Sequence, residues 1–414
     1  MRKRRGIAFV LALLVLVAVA LLLTAASQRV SKEINQRANV NEDAKAEMAA
    51  VAGVQRALAE LTDFNASLLQ PQTDTWATLG DHGNSKFLMG KGMSFRMEIV
   101  DAGAKVNLNT APENQLRNLG LTDEQVDSLL DWRETSLQST RQLGGKDEYY
   151  NNLSNPYNTQ LGKMNTIGDV LLVKGFTAQG LLDPPTNSTS TPLVTSGGTQ
   201  PALIQLATVD SQVGNVTAEG GAKTNVNTAN QQQLQQAGLS PQLAQAIVQR
   251  RQTQGNFTTL GQVFALPGAA ASGAQILNQL TATTDQQLYG RINLNTATEP
   301  VLRSIPNLPS AAVDTILSNN GGYTSLGDLA SVSGVQASDL VNLADTFTVG
   351  SQVMVVRVLG TYGSRSIALE VTLDMSATPA KVRRIERIIP NDPIAYWSWS
   401  ATTNQDVTLL EDTL

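Results

Sequence analysis

The phrase Val106-Asn107-Leu108-Asn109-Thr110-Ala111 returns as Thr224-Asn225-Val226-Asn227-Thr228-Ala229, and again as Ile292-Asn293-Leu294-Asn295-Thr296-Ala297. Nothing else in the 414 residues constrains the fold as much, because each copy must open the same small supersecondary unit. Each alternates apolar and polar residues for a few positions and then reads as a helix start. Thr110 with Glu113, Thr228 with Gln231 and Thr296 with Glu299 fit Thr-x-x-Glu/Gln, in which both side chains satisfy orphan amides of the first turn. Apolar residues follow at helical spacing: Leu116 and Leu119, Leu234, Leu302 and Ile305. A short turn comes next (Gly120-Leu121-Thr122, Gly238-Leu239-Ser240, Asn307-Leu308-Pro309), and then a second helix carrying Val126 and Leu129, Leu243 and Ile247, or Val313 and Ile316. Each unit is expected to close on a third phrase, beginning at Asn165, Phe257 and Tyr323. The repeats are predicted at 110–183, 203–283 and 284–348, with 184–202 a linker on its Pro, Ser and Thr content. Leu203–Ala207 reads as a strand entering the second repeat.

Helix, short turn and helix with this lead-in resembles a helix-hairpin-helix module. Such modules bind DNA when hairpin amides grip phosphates, a use that typically has two glycines in the hairpin and a basic surround. The hairpins here have one glycine or none, and the first carries Asp123, Glu124 and Asp127. With a formal net charge of −5, nucleic acid is not the expected partner. Arg250 and Arg251 are the best remaining phosphate contacts.

At the N-terminus, Arg2 to Arg5 precede Gly6, and Ile7–Ala26 is uncharged and apolar. That run is close to the ~20 residues a helix needs to span a bilayer, and the preceding cations place the N-terminus in the cytoplasm. An ordinary signal peptide cleaved after Thr24-Ala25-Ala26 is the competing reading, against which the run exceeds the usual ~7–15 apolar residues. From Gln28 to Leu61 there is no proline and only Gly53, so the helix is expected to continue, with Val40, Ala44, Met48, Val51, Leu58 and Leu61 as an apolar stripe.

A basic leader, a glycine, an apolar run and a continuing helix resemble the type IV pilin and pseudopilin N-terminus. The resemblance implies a leader of residues 1–6, cleavage by prepilin peptidase between Gly6 and Ile7, and methylation of Ile7. It also implies a transmembrane helix at 7–26 in the inner membrane and a periplasmic continuation at 27–62. Most members carry Glu at the fifth mature position, where this chain has Leu11. An unpaired buried charge costs several kcal/mol, so a subunit lacking that Glu is not expected to receive another above it.

Asn107-Leu108-Asn109-Thr110, Leu129-Leu130-Asp131-Trp132-Arg133, Asp147-Glu148-Tyr149-Tyr150 and Asp169–Gly175 follow in one order. Behind a glutamate-less pilin helix, they resemble the K-type minor pseudopilin family of type II secretion, over most of residues 1–375. The implied fold is α+β: a type IV pilin-like domain of long helix and antiparallel sheet, with a large all-helical insertion. Its sheet begins in 63–109, at the strand Phe95–Val100 after a loop-like Asn65–Lys91. It is completed in 349–375 by a hairpin turning around Gly360-Thr361-Tyr362-Gly363. The third module and the tail 376–414, with Trp397 and Trp399, depart from the family pattern.

The implied partners are other minor pseudopilins and the major pseudopilin. The resemblance also implies calcium in the insertion, and Asp147 and Glu148, in an Asn-rich loop, suit an oxygen-liganded ion, though no cofactor is required. No zinc spacing, phosphate loop, nucleophile elbow or dinucleotide fingerprint occurs, and there is no cysteine and a single histidine, His82. The expectation is an assembly protein at a filament tip and not an enzyme. A membrane-anchored DNA receptor of the competence type is the alternative, and an anchored carboxylate hydrolase a third reading without support in the spacing.

Overall fold

A computed structural model describes residues 4–139, 141–184, 200–388 and 393–409; the side chains of 4–23 and of several residues up to 38 lie outside the description. Helix α1 runs Arg4–Glu60 without a break. Gly6, Ile7, Leu11 and the apolar run through Leu23 are on this helix, with side chains outside the described residues, as is most of the linker, 185–199. Among the described residues no helix is long and apolar enough to cross a membrane.

The C-terminal part of α1 lies on a six-stranded sheet. Its strands are β1 (Ser85–Gly90), β2 (Met93–Asp101), β3 (Val353–Tyr362), β4 (Arg365–Asp374), β5 (Lys381–Ile388) and β6 (Gln405–Thr408), in spatial order β5-β4-β3-β2-β1-β6. As the family resemblance implied, strands on either side of the insertion join: β2 pairs antiparallel with β3 from Met93↔Tyr362 to Asp101↔Met354. All pairings are antiparallel except β1 with β6, which is parallel.

Three expectations about this body need correcting. Ser85–Gly90 is a strand and not part of a loop, because Phe87 buries against Phe95 across the β1–β2 hairpin, ring centroids 4.9 Å apart. The β3–β4 turn sits after Tyr362, and Gly360 lies within β3. There a Cβ would come 2.2 Å from the Ala46 carbonyl oxygen, so the glycine exists to let the α1 backbone rest on the strand. The third correction concerns α1. Its buried face is Ala46, Ala49, Ala50, Val54, Ala57 and Leu61, small residues that permit this close approach, whereas Val40, Met48 and Val51 are 69, 62 and 46 % exposed. Only Leu61 of the expected stripe is fully in the core.

The segment 376–414 is not an appendage. It supplies both edges of the sheet: β5 beside β4, and β6 beside β1. Between them Trp397 and Trp399 pack on Leu359 and Ala368, on the side of the sheet away from α1. The indole N–H of Trp399 donates to Glu98 (3.0 Å) and that of Trp397 to Glu370 (3.2 Å), and Arg357 pairs with both carboxylates.

Residues 102–352 form the insertion between β2 and β3. Its modules are built on paired helices: α2 (Glu113–Asn118) and α3 (Asp123–Arg133), α4 (Gln231–Gln236) and α5 (Pro241–Gln254), α6 (Glu299–Ser304) and α7 (Ser310–Ser318). The turn residues Gly120, Gly238 and Asn307 all take positive φ (84°, 91° and 63°), which explains two glycines and an asparagine in one place. The insertion is not all-helical, however. Each opening phrase forms a two-residue strand that pairs in parallel with a later one: Val106–Asn107 with Ala207–Thr208, Thr224–Asn225 with Leu280–Thr281, and Ile292–Asn293 with Phe347–Thr348. The predicted strand Leu203–Ala207 is a helix, Leu203–Leu206, and the strand after it closes the first module instead of opening the second.

Candidate functional surfaces

The repeated asparagines are structural clamps, and the three modules use them alike. The first Asn of each phrase makes an Asx turn: its side-chain oxygen accepts from the amide two residues on, at Asn109, Asn227 and Asn295. The second Asn, partly or fully buried, ties together pieces remote in sequence. Asn109 accepts from the Met164 amide and donates to the carbonyls of Met164 and Val209. Asn227 does the same with Phe257 and Ala282. Asn295 accepts from Tyr323 and donates to Tyr323 and, in place of its own module's closing strand, to Leu69.

The three expected Thr-x-x-Glu/Gln boxes do not form. The Asx turn carries the chain two residues further before the helix begins, so the N-cap positions are Pro112, Asn230 and Thr298. Asn230 makes its own capping box with Gln233. Thr110 instead bonds the Asn107 carbonyl, and Thr296 donates to Asp101.

Two repeated features escaped the sequence reading although each left a signal. A cation precedes every opening strand: Lys105, Lys223 and Arg291 donate to the carbonyls of Ile204, Leu277 and Ala344, each three residues before the closing strand. Burial pushes Lys105 down to about 7 and Lys223 down to about 8. Secondly, each module holds another hairpin after the phrases at 165, 257 and 323, marked by Gly175, Gly268 and Gly334 with φ of 84°, 84° and 93°. Those phrases therefore lie mid-module, as the 3-10 helices Ile167–Leu172, Leu260–Ala265 and Leu326–Ser331.

The cations considered for phosphate binding are engaged within the fold. Arg251 donates to the carbonyls of Val226 and Ala229 (2.7 and 3.1 Å), as Arg133 does to Leu108 and Ala111. Arg250 lies 4.2 Å over the Phe257 ring and donates to the Gly255 carbonyl. Lys174, beside the first module's second hairpin, pairs with Glu124. These cations hold the modules together.

Asp147 and Glu148 open the short helix Asp147–Tyr150. One Asp147 oxygen accepts from the Thr159 amide at 2.7 Å, and Glu148 is exposed. Among the described residues no three His, Cys, Asp or Glu side chains come together to hold a metal ion. The neighbouring motif residues are packing elements: Tyr150 stands edge-on to Trp132 (5.3 Å), and its hydroxyl accepts from the Lys174 amide.

Asp101, at the end of β2, joins body to insertion. Its buried carboxylate accepts from the Gly103 amide, Asn293 and Thr296, yet burial still holds its pKa above the usual carboxylate range. Where body, tail and modules meet there is a cleft of about 390 Å³, with Trp76, His82, Glu98, Lys105 and Trp397 in its walls. His82 faces Glu98 across 3.5 Å, which raises the imidazole pKa.

Comparison with known proteins bears on both ends of this arrangement. Residues 220–269, within the second module, match the helix-hairpin-helix motif. Residues 101–183 match the family described as type II secretion system (T2SS), protein K. No curated protein matches the chain. Among solved structures, a chain of the crystal structure of the GspK-GspI-GspJ complex from the enterotoxigenic Escherichia coli type 2 secretion system is 14 % identical, with a TM-score of 0.46. It covers 86 % of this chain and 100 % of its own length. The segment matched at 101–183 contains every first-module phrase on which the sequence resemblance rested, from Asn107 through Trp132-Arg133 and Asp147–Tyr150 to Gly175. Over that segment the chain is similar to the type II secretion system protein K family.

Proposed function

We propose that this chain is a minor pseudopilin at the tip of the type II secretion pseudopilus, where it primes or caps assembly for protein export across the outer membrane. One observation carries the reading: residues 102–352 form a single body of modules inserted between two neighbouring strands of a sheet that α1 covers. Helix-packed subunits of a filament repeat axially by about one helix diameter, ~10 Å. An insertion that size on every subunit would clash with its neighbours, whereas at the tip it meets none. Leu11 supports the same place, since it offers no carboxylate to the N-terminus of a subunit above. In this reading α1 and the sheet are a pilin-like domain, α1 is anchored in the inner membrane through Ile7–Ala26, and prepilin peptidase cuts after Gly6 and methylates Ile7. The exposed Val40, Met48 and Val51 meet other minor pseudopilins, and the work is assembly, without catalysis.

The test is expression with neighbouring minor pseudopilins and, separately, with the major subunit alone. A small stoichiometric complex is expected; long filaments labelled along their whole length by this protein would refute the proposal. Mass spectrometry of the mature chain should find methylated Ile7, and an N-terminus near Ser27 would return it to ordinary signal cleavage. The helix-hairpin-helix match keeps the DNA-receptor reading testable. Binding of duplex DNA that falls with salt and disappears in Arg250→Ala/Arg251→Ala would favour that reading.

A further inference from the structure

Among the described residues strand β5 ends the sheet, so one side of its backbone has no strand beside it there. Edges of this kind are commonly blunted by charge, and β5 is charged: Lys381, Arg383, Arg384 and Arg387 against the single Glu386. Two of these cations are neutralised within the fold. Arg383 pairs with Asp374 (2.9 Å), and Arg384 pairs with Asp210 (2.8 Å) and Glu386 (2.7 Å). They fasten the strand to β4 and to the residues just after the first module's closing strand. Lys381 and Arg387 remain exposed.

The apolar residues of β5 argue against a merely blunted edge. Val382 stands opposite Leu373 and Ile385 opposite Val371, so both lie on the face that α1 covers further along the sheet. Beyond the reach of α1 they are 48 and 62 % exposed. The helix side next to them is apolar too. Asp43 of α1 pairs with Arg365 of β4, and Val51 and Leu58 follow it at spacings that put them on the same flank. Aliphatic side chains left in water on a rigid edge favour another strand beside them, which would bury them while pairing the backbone.

We propose that β5 is a docking edge for an extended, acidic segment of a partner protein, which adds to the sheet as a further strand. Main-chain hydrogen bonds supply the pairing, Val382 and Ile385 meet the partner's apolar side chains, and Lys381 and Arg387 select carboxylates. Charge complementarity sets the sign of the partner: after internal pairing the exposed charge of the edge is positive, although the chain as a whole carries −5.

The experiment uses the full chain in detergent micelles and a fluorescent peptide of four valine-glutamate repeats. Saturable binding that weakens with salt is expected. About a tenfold loss is expected in Val382→Asp/Ile385→Asp and in Lys381→Glu/Arg387→Glu, and a version of the peptide with a central proline should not bind. The charge-reversed variant should instead take a valine-lysine peptide, a gain that misfolding cannot produce. No saturable binding to the wild-type chain, equal binding of the proline peptide, or retention of the valine-glutamate peptide by the charge-reversed variant would overturn the proposal.

Discussion

The second and third modules contain nearly the same opening phrase and put it to different ends. In the second, Asn225 donates to the Thr283 carbonyl and Asn227 to those of Phe257 and Ala282, so every bond stays within residues 224–283. In the third, Asn293 donates to Asp101 of β2 and Asn295 to the Leu69 carbonyl. Leu69 is interposed, its own amide donating to Val349, the residue after the closing strand. One module is therefore closed on itself, and the other takes a piece of the body into its clamp. The same polar side chain serves as an internal staple or as a weld, depending on which carbonyl the fold brings to it. This explains how one repeat can be joined to the body while its neighbour's clamp stays within the module.

The largest effect is expected from Asn295→Ala. It removes three bonds made by a side chain with no solvent exposure and leaves buried groups on both body and module unpaired, a loss of about 3–5 kcal/mol. Hydrogen exchange should speed up at Leu69 and Tyr323 together. Asn227→Ala removes the equivalent bonds at a half-buried site that water can reach, so about 2 kcal/mol is expected, with faster exchange confined to residues 224–283. Loosening restricted to the mutated module in both variants would erase the distinction between them.

A smaller change, about 1–2 kcal/mol, is expected from Arg251→Ala, which frees the Val226 and Ala229 carbonyls. Urea unfolding followed by exchange in the second module measures it. The third module has Asn320 donating to Ala297 in that role, so Asn320→Ala should cost less, having one such bond to lose.

The smallest effect separates the modules by pH. Burial pushes Lys223 down to about 8 in the folded chain, while an unfolded lysine keeps its proton to about 10.4. Between those values the unfolded state binds more protons, so the second module should gain stability as pH rises from about 8 to about 10. An arginine stays charged through that window, and Arg291 occupies the position in the third module. Exchange rates corrected for intrinsic pH dependence should show the gain in the second module and not in the third, and Lys223→Arg should abolish it in the second.

Much of this was legible in the sequence, for reasons of local chemistry. Repetition of Asn-x-Asn-Thr-Ala, apolar spacing in the paired helices and the left-handed turn residues at 120, 238 and 307 report on short-range conformation, which a few neighbouring residues decide. So does the alternation of 95–100, 353–359 and 366–373. The family resemblance followed from the order of such phrases. What the sequence could not decide was where each polar group finds its partner. Thr-x-x-Glu suggested a cap, but the Asx turn at the preceding asparagine moved the helix start.

Tertiary structure alone placed the tail on both edges of the sheet, because strand pairing joins residues more than 300 apart, such as Phe87 with Val407. It also turned the apolar stripe of α1 outward. Gly360 and the alanines of α1 let the helix rest on β3 by its smallest side chains, and hydrophobicity along one helix cannot reveal that its partner surface is a glycine. Sequence fixes which groups a residue offers; only the packed chain decides which carbonyl, carboxylate or strand edge lies within ~3 Å to receive them.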